Sequence, residues 1–432
     1  MADSLFDNRY RYDYIYPRGR SGETLRAVDT ASQDRPVVIK RPAPNDAPPI
    51  RAGQEVSILN ERKALQRLSG HPVLTEALGS GQFSVGGTLH QYIVMERSQG
   101  VIIADEVGEL ARRGERLPIL EMLIIVDLLL DLLELAHSRD IVYNDVDAKH
   151  LFWDRDNYRL KVIDWGNAVF LEGDEITPQG VSRQSDIFQV GELLYFIVTG
   201  GRRADIPRDA GEDFLLDFGP DAGHVSPRLR AIISRAAHPN AKLRYRTLAD
   251  LRRDLEAYRK PLESDRTTIV THVLDRLRRS LSKNDLRGLL TSLEPALAAD
   301  PGFPLARRAH RDITDRLRDL GVSADLDAVR IYMESGNWTR SADLLNELRA
   351  KSGSQTSGMV DLLLDCSMLL QEYDIRPVPP AIMDAVVMIF EGHFVHVANT
   401  LLTRDTPSDD VRKLQWLLAE RISSRIPEVL LL

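Results

Sequence analysis

Four charged side chains in the first half of the chain have the types and the order that phosphoryl transfer needs. Lys40 ends the apolar run Val37-Val38-Ile39, where a cation can meet a phosphate. Glu61, in Asn60-Glu61-Arg62-Lys63, falls on a helical face from which it can reach back to Lys40. Asp145 and Asp164 each stand where an apolar strand gives way to a turn, in Ile141–Asp145 and Leu160–Asp164. Asp145 can orient a hydroxyl. Asp164 can hold Mg²⁺ against phosphate oxygens, because Mg²⁺ favours one or two carboxylates completed by phosphate and water. About 19 residues separate the two carboxylates, a spacing compatible with a hairpin that brings them together. Ahead of them, Gly19 and Gly22 lie in a turn and let backbone amides come close to an anion.

These groups need strands and helices to hold them. Val37–Ile39, Gln91–Met95 and Leu160–Ile163 read as strands, being short, apolar and β-branched or aromatic. Gly53–Leu68 reads as a helix with Val56, Leu59, Ala64, Leu65 and Leu68 on its apolar face. Ile119–His137 is the most apolar stretch, but Asp127, Asp131 and Glu134 interrupt it at helical spacing, which predicts a buried helix and not a membrane span. Ser185–Gly200 reads as an apolar helix stopped by glycine. Beyond Glu263 the pattern is helical throughout: 265–282, 285–299, 304–320, 325–335, 340–350, 357–371, 380–390 and 411–422. The boundary is expected near Lys260-Pro261, where a long helix meets a proline.

Within that second half, Asn284-Asp285-Leu286, Gly336-Asn337-Trp338 and Gly392-His393-Phe394 each open a leucine-rich segment. Such recurrence suits a stacked helical repeat, and an ordinary helical bundle is the alternative. Trp338 and Trp416 read as core residues, and His393 and His396 as a surface pair.

Composition narrows the function classes. In 432 residues, 43% are hydrophobic and 28% charged, which builds real cores and excludes wholesale disorder. A net charge of −8 argues against binding nucleic acid by neutralising phosphates. The one cysteine, Cys366, has no partner within the chain, so no oxidising compartment is required. The first residues hold no apolar signal-peptide core, and a cytoplasmic protein without membrane association is expected.

Taken in order, these segments resemble the eukaryotic-like protein kinase family in its bacterial Ser/Thr form, over about residues 9–259. The resemblance implies an α+β, bilobal kinase-like domain over 9–260, with an N-lobe of about 9–97 and a C-lobe of about 98–260. An all-α, repeat-like (TPR-like or solenoid) domain over 264–432 follows it. Gly19 and Gly22 match two glycines of the family's Gly-rich loop, Lys40 its strand lysine and Glu61 the partner glutamate. Met95-Glu96-Arg97-Ser98 resembles the hinge that holds adenine, which places Glu96 and Ser98 at the nucleotide. Tyr143-Asn144-Asp145 stands for His-Arg-Asp and Asp164-Trp165-Gly166 for Asp-Phe-Gly. Asp186 matches the aspartate that ties the catalytic-loop backbone, and Leu243-Arg244-Tyr245 a closing Arg-Tyr element. ATP and Mg²⁺ are the implied cofactors, and a protein hydroxyl the implied acceptor.

The departures are as specific as the matches. Asp147 occupies the place of the lysine that neutralises the γ-phosphate, and Lys149 would have to act from another direction. His150 replaces the metal-binding asparagine; an imidazole can ligate a metal, although Mg²⁺ prefers oxygen. Asn144 replaces the arginine that reads an activation-loop phosphate, so a phosphorylation switch of that kind is not expected. Val38 replaces the alanine above adenine. The segment from Asp164 to Asp186 is short and lacks Ala-Pro-Glu, which leaves Arg244 without its usual partner unless Glu172 or Glu175 serves. Three readings stay open: a divergent Ser/Thr kinase with Asp145 as the group that accepts the hydroxyl proton, a pseudokinase scaffold, and a small-molecule kinase of the aminoglycoside type. The helical half is expected to recruit a protein partner or substrate, or else to buttress the kinase-like half.

Overall fold

The structure, a computed structural model, describes residues 4–17, 19, 21–207, 210–279, 281–373, 378–391, 393–403 and 409–430. Two compact units divide the chain: residues 1–267 with 296–303, and residues 268–295 with 304–432.

The first unit opens with strands β1 (Ser4–Phe6), β2 (Tyr10–Ile15), β3 (Glu23–Asp29) and β4 (Arg35–Arg41), helix α1 (Pro48–Arg67), then β5 (Ala77–Val85) and β6 (Thr88–Glu96). The strands form one antiparallel sheet in the order β1-β2-β3-β4-β6-β5. Side chains alternate along β4, so Val37 and Ile39 enter a small core with Leu25, Ala27, Tyr92 and Val94. Val38 and Lys40 therefore take the opposite face, toward α1 and the cleft. Two prolines open α1, where their missing amides cost nothing. The face of α1 turned inward carries Gln54, Ile58, Glu61, Ala64 and Leu65, and Val56 is exposed. Of the apolar face expected from the sequence, Ala64, Leu65 and Leu68 are buried, Leu59 is half-buried and only Val56 faces solvent. Gln54 earns its burial by accepting from the Ala43 amide at 2.9 Å and donating to Asp46 at 2.7 Å.

Below the sheet come β7 (Val101–Ile102), α2 (Ile103–Arg112), α3 (Ile119–Ser138), β8 (Ile141–Val142), β9 (Leu151–Asp154), β10 (Arg159–Val162), β11 (Val169–Phe170), α4 (Arg183–Val198), α5 (Pro227–Ala236) and α6 (Leu248–Leu277). A curled sheet followed by helices is consistent with a kinase-like fold. Helix α3 is buried on most sides, and no described helix is long and apolar enough to cross a membrane. Its acids have partners: Arg252 meets Asp127 at 2.8 Å, Glu134 at 3.0 Å and Asp131 at 3.2 Å, and Arg259 meets Asp127 at 2.8 Å.

Helix α6 runs straight through Pro261, where the sequence led us to expect an end. A proline inside a helix costs about 3 kcal/mol, and α6 is pinned on both sides of it. Tyr258 accepts from Ser226 at 3.0 Å and Arg259 pairs with Asp127 before the proline; Arg266 pairs with the buried Asp300 after it.

The second unit is helical among its described residues: the end of α6, then α7 (Lys283–Ala299), α8 (Pro304–Glu334), α9 (Trp338–Arg349), α10 (Ser354–Tyr373), α11 (Pro380–Phe390), α12 (Phe394–Thr403) and α13 (Asp409–Leu430). The two helices expected over 304–320 and 325–335 are one, because Gly321 costs only about 1 kcal/mol within a helix while Val322, Leu326, Val329 and Met333 continue a buried stripe. Helix α12 was not anticipated as a helix. Consecutive helices pack on one another around Trp338, Leu345, Leu363, Ile389 and Leu414. Trp338 is core as expected; Trp416 is 56% exposed, contrary to expectation, because it sits on the outer side of α13. Of the three recurring motifs, Gly336-Asn337-Trp338 opens α9, whereas Asn284-Asp285-Leu286 lies inside α7. The third begins at Gly392, outside the described residues. Cys366 is buried, and burial pushes its thiol up to about 12.

Candidate active site

Register sets the first half of the site. Lys40 lies opposite Thr24 on β3 and Ile93 on β6, and its ammonium donates to both carboxylate oxygens of Glu61 at 2.9 Å. A second carboxylate, Asp164 Oδ1, stands 3.0 Å away. All three groups are largely buried. Burial works against the Lys40 charge, but Glu61 and Asp164 outweigh it and hold the ammonium above the usual lysine range. For Asp164, burial alone would raise the carboxyl; Lys40 and His150 overcome it and hold it below the usual aspartate range.

Asp164 sits in left-handed backbone, at φ 62°, separated from β10 by Ile163 alone. The short helical turn Trp165–Asn167 then packs against α1. Trp165 is fully buried on the ring of Tyr143, with centroids 4.5 Å apart, and its amide donates to Glu61 at 3.3 Å. Gly166 is needed for close approach: a Cβ there would meet Ser57 Oγ at 2.1 Å.

The catalytic-loop half, residues 143–150, is held from α4. Asp186, wholly buried, accepts from the Tyr143 amide at 3.0 Å, the Asn144 amide at 2.7 Å and His137 Nε2 at 2.8 Å. Gln189 accepts from the Val146 amide at 3.0 Å and donates to the Asn144 carbonyl at 3.2 Å. Tyr143 Oη donates to the Ile163 carbonyl at 2.6 Å, which ties the two aspartate-bearing turns together. Asp145 then takes a hydrogen bond from Asn167 Nδ2 at 2.9 Å. Sequence reasoning missed Asn167, Gln189 and His137. Asn167 directly follows Asp164-Trp165-Gly166, the one signal that could have raised it.

Asp147 is tied down locally. It caps the turn Ala148–His150 by accepting the Lys149 amide at 3.0 Å, and the Lys149 ammonium lies 3.3 Å from its other oxygen. Burial raises its carboxyl, and the Lys149 amide and charge more than reverse that, so it stays ionised. His150 places Nδ1 3.0 Å from the Asp145 carbonyl and Nε2 3.5 Å from Asp164 Oδ2. Asp145, His150 and Asp164 offer ligand atoms all within 4.8 Å of one another. The carboxylates fit Mg²⁺; the imidazole nitrogen does not, since Mg²⁺ takes oxygen.

A cavity of about 300 Å³ opens beside these groups. Val38, Met95, Ile102, Phe152 and Ile163 make it an apolar slot, Glu96, Arg97 and Ser98 also line it, and Lys40, Lys149 and Asp164 supply its charges. The Glu96 side chain is committed elsewhere, accepting from the Glu76 amide at 3.0 Å and pairing with Lys161. Gly19 and Gly22 are not among the residues lining this slot. They bridge each other at the tip of the β2–β3 turn, and Gly22, at φ 107°, would drive a Cβ into the Arg41 carbonyl at 2.3 Å. Arg244 is satisfied without Glu172 or Glu175: it donates to the carbonyls of Gln184 at 2.9 Å, Pro239 at 2.8 Å and His238, and its guanidinium lies over Phe188. Glu172 lies instead 3.5 Å from Lys63.

No family model matches the chain. It is similar to the serine/threonine-protein kinase PknB of Mycobacterium tuberculosis H37Rv, 25% identical over 277 residues, which cover 58% of this chain and 42% of that protein. PknB of Mycolicibacterium smegmatis is 26% identical over 211 residues, 43% of this chain and 33% of that protein. The serine/threonine-protein kinase PksC of Streptomyces coelicolor is 23% identical over 215 residues, 43% of this chain and 38% of that protein. The chain thus spans about two fifths of the length of the first of these relatives. Together they support a bacterial Ser/Thr-kinase-like family.

Proposed function

We propose that residues 9–260 bind ATP and transfer its γ-phosphoryl group to a protein hydroxyl of serine or threonine. The observation that carries this reading is the charged end of the slot: Lys40 held by Glu61, with Asp164 beside it and Asp145 across the turn. An apolar slot that ends in a buried lysine and carboxylates able to hold Mg²⁺ suits a flat base with a polyphosphate tail. In this reading Lys40 binds the α- and β-phosphates, and the hinge backbone at Glu96–Ser98 faces the base. Asp145, aimed by Asn167, orients the acceptor hydroxyl and takes its proton. Asp164 would hold the metal, which when bound neutralises phosphate charge. Lys149 stands in for the lysine that Asp147 displaced.

A pseudokinase reading draws on Asp147, a carboxylate where transfer calls for a cation. Its pairing with Lys149 weakens that objection, since the local pair is close to neutral. We read the helical residues 264–432 as a repeat-like module that docks a protein partner or substrate, with Trp416 on its exposed surface, and the protein as cytoplasmic.

A thermal-shift titration with ATP and Mg²⁺ on wild type and Lys40→Ala tests nucleotide binding. A ligand bound only by the folded state must raise the wild-type midpoint, by an amount set by its concentration over Kd. The variant should show no rise. An unmoved wild type at millimolar ATP would remove the proposal. Transfer of labelled γ-phosphate by wild type then separates a kinase from a scaffold.

A further inference from the structure

We propose that residues 296–303 form a strap that positions the nucleotide slot, holding the β9–β10 turn and through it the wall at Phe152 and the hinge at Glu96. The inference rests on reading the slot as a nucleotide site and adds what sets its shape. The strap belongs to the first unit, although the residues before and after it, 268–295 and 304–432, belong to the second. A short segment whose flanks belong elsewhere needs specific contacts to offset the entropy of holding it in place. Those contacts centre on Asp300, which is 1% exposed and accepts from Tyr158 Oη and from the Arg266 guanidinium. Arg266 also covers the Phe303 ring at 3.8 Å. Gly302 makes the closest approach to the turn. A Cβ there would meet Arg155 Cγ, the Arg155 carbonyl and Tyr158 Cε2, each at 2.8 Å.

From that turn two routes reach the slot. On the β9 side, Tyr158 packs edge-on against Trp153, with centroids 5.6 Å apart. Trp153 Nε1 donates at 2.7 Å to the buried Glu121, which Arg155 also grips at 2.5 Å. Trp153 and Phe152 pair with Val101 and Ile102 of β7, so the hairpin places both Phe152 and Ile102, which line the slot. On the β10 side, Lys161 stands opposite Phe152, pairs with Glu96 and donates to the Leu74 carbonyl at 3.0 Å. Glu96 ends β6 and opens the hinge. A turn free to shift would therefore carry the slot wall and the hinge with it, because packed strands move as units. Asp300 and Arg266 are positioning residues in this sense: neither lines the slot, and both act through the hairpin.

The test uses the full-length chain, with amide hydrogen exchange read by mass spectrometry and calorimetric titration with ATP and Mg²⁺. Tyr158→Phe deletes the hydroxyl that meets Asp300 and keeps the ring on Trp153. It should speed exchange about tenfold over residues 151–162 and 96–102, with α4 and the β1–β3 strands unchanged. Gly302→Ala wedges the strap away from the turn. At a temperature where the protein is fully folded it should weaken ATP binding about tenfold, the factor by which the share of competent slots falls. Tyr158→Phe, expected to shift ATP binding in the same direction, serves if the alanine variant is unstable. Exchange that does not rise, that rises only beside residue 158, or that rises evenly through the first unit would each overturn the proposal, because ordinary packing would then account for the strap. ATP affinity equal to wild type in both variants would overturn it too. A wild type that does not bind ATP sinks the nucleotide reading only, and exchange at the hinge amides then decides the strap by itself.

Discussion

The two sides of the cleft carry charged groups around one proposed phosphate path, yet they are built on different terms. On the strand side, Lys40 is held between two carboxylates, the buried Glu61 and the half-buried Asp164, each within 3.0 Å. Each residue has the type that the kinase resemblance implies. On the loop side, residues 144–150 depart from that pattern at Asn144, Asp147 and His150, and stability comes from the backbone: Asp186 and Gln189 hold the amides, and Asp147 caps its own turn. The comparison teaches that a loop whose shape is fixed by main-chain hydrogen bonds can exchange its side chains without losing its course. A buried ion pair cannot, because removing either charge strands the other in a low-dielectric interior.

That contrast can be broken most sharply at Asp145. Asp145→Asn should reduce γ-phosphate transfer by about 10²–10⁴ while the ATP-induced rise in melting midpoint stays within error of wild type. If the nucleotide response disappears as well, the two sides are not separable. Next in size is Asp186→Ala, which leaves three donors unmet beneath the loop. We expect a loss of roughly 3 kcal/mol in denaturant unfolding; a loss under about 1 kcal/mol would mean that water replaces the carboxylate.

Lys149→Met sharpens the loop side alone. It should lower transfer about tenfold, on the scale of one partly exposed charge contact, with ATP affinity unchanged; equal transfer rates would return the γ-phosphate role to some other group. Gly166→Ala probes the strand side and should cost about 1 kcal/mol of stability, since the added methyl meets Ser57 Oγ, the end of a side chain that can turn. Adding Ser57→Ala should restore the loss, and a double variant no better than the single one would place the strain in the backbone.

The smallest effect is a pH dependence far from the cleft. Arg9 hydrogen-bonds Asp29 through two nitrogens at 2.7 Å and holds its carboxyl down at about 2. A depressed folded-state value means this stabilisation is present above the unfolded aspartate range near pH 4 and is lost as pH falls toward 2. Arg9→Gln should flatten stability between those values, leaving pH 5–8 slopes alone. Screening by water at the half-exposed arginine keeps the effect small.

Legibility followed range. The apolar run Val37-Val38-Ile39 was enough to read a strand that ends in Lys40, and helical spacing brought Glu61 within reach of it. Helical spacing alone misjudged α1, because Gln54 takes a core position through polar partners at Ala43 and Asp46 while Val56 turns out to solvent. The end expected at Pro261 failed for a similar reason: contacts to Asp127, Ser226 and Asp300, all distant in sequence, hold α6 across the proline. Asp300 shows the same reach, since residues 296–303 belong with the first unit and Asp300 accepts there from Tyr158 and Arg266.

By itself the amino-acid sequence determined which residue types stand at the ends of which strands, the helical character of most described segments after about residue 264, and the order of groups that suits phosphate chemistry. Those follow from backbone periodicity and side-chain chemistry, which act over a few residues. Only the tertiary structure decided that Asn167 aims Asp145, that Arg244 rests on carbonyls, that Trp416 faces outward and that Nδ1 of His150 meets the Asp145 carbonyl. Each of these depends on which polar atoms come within about 3 Å of one another, and that is settled by packing between segments whose separation along the chain carries no local signal.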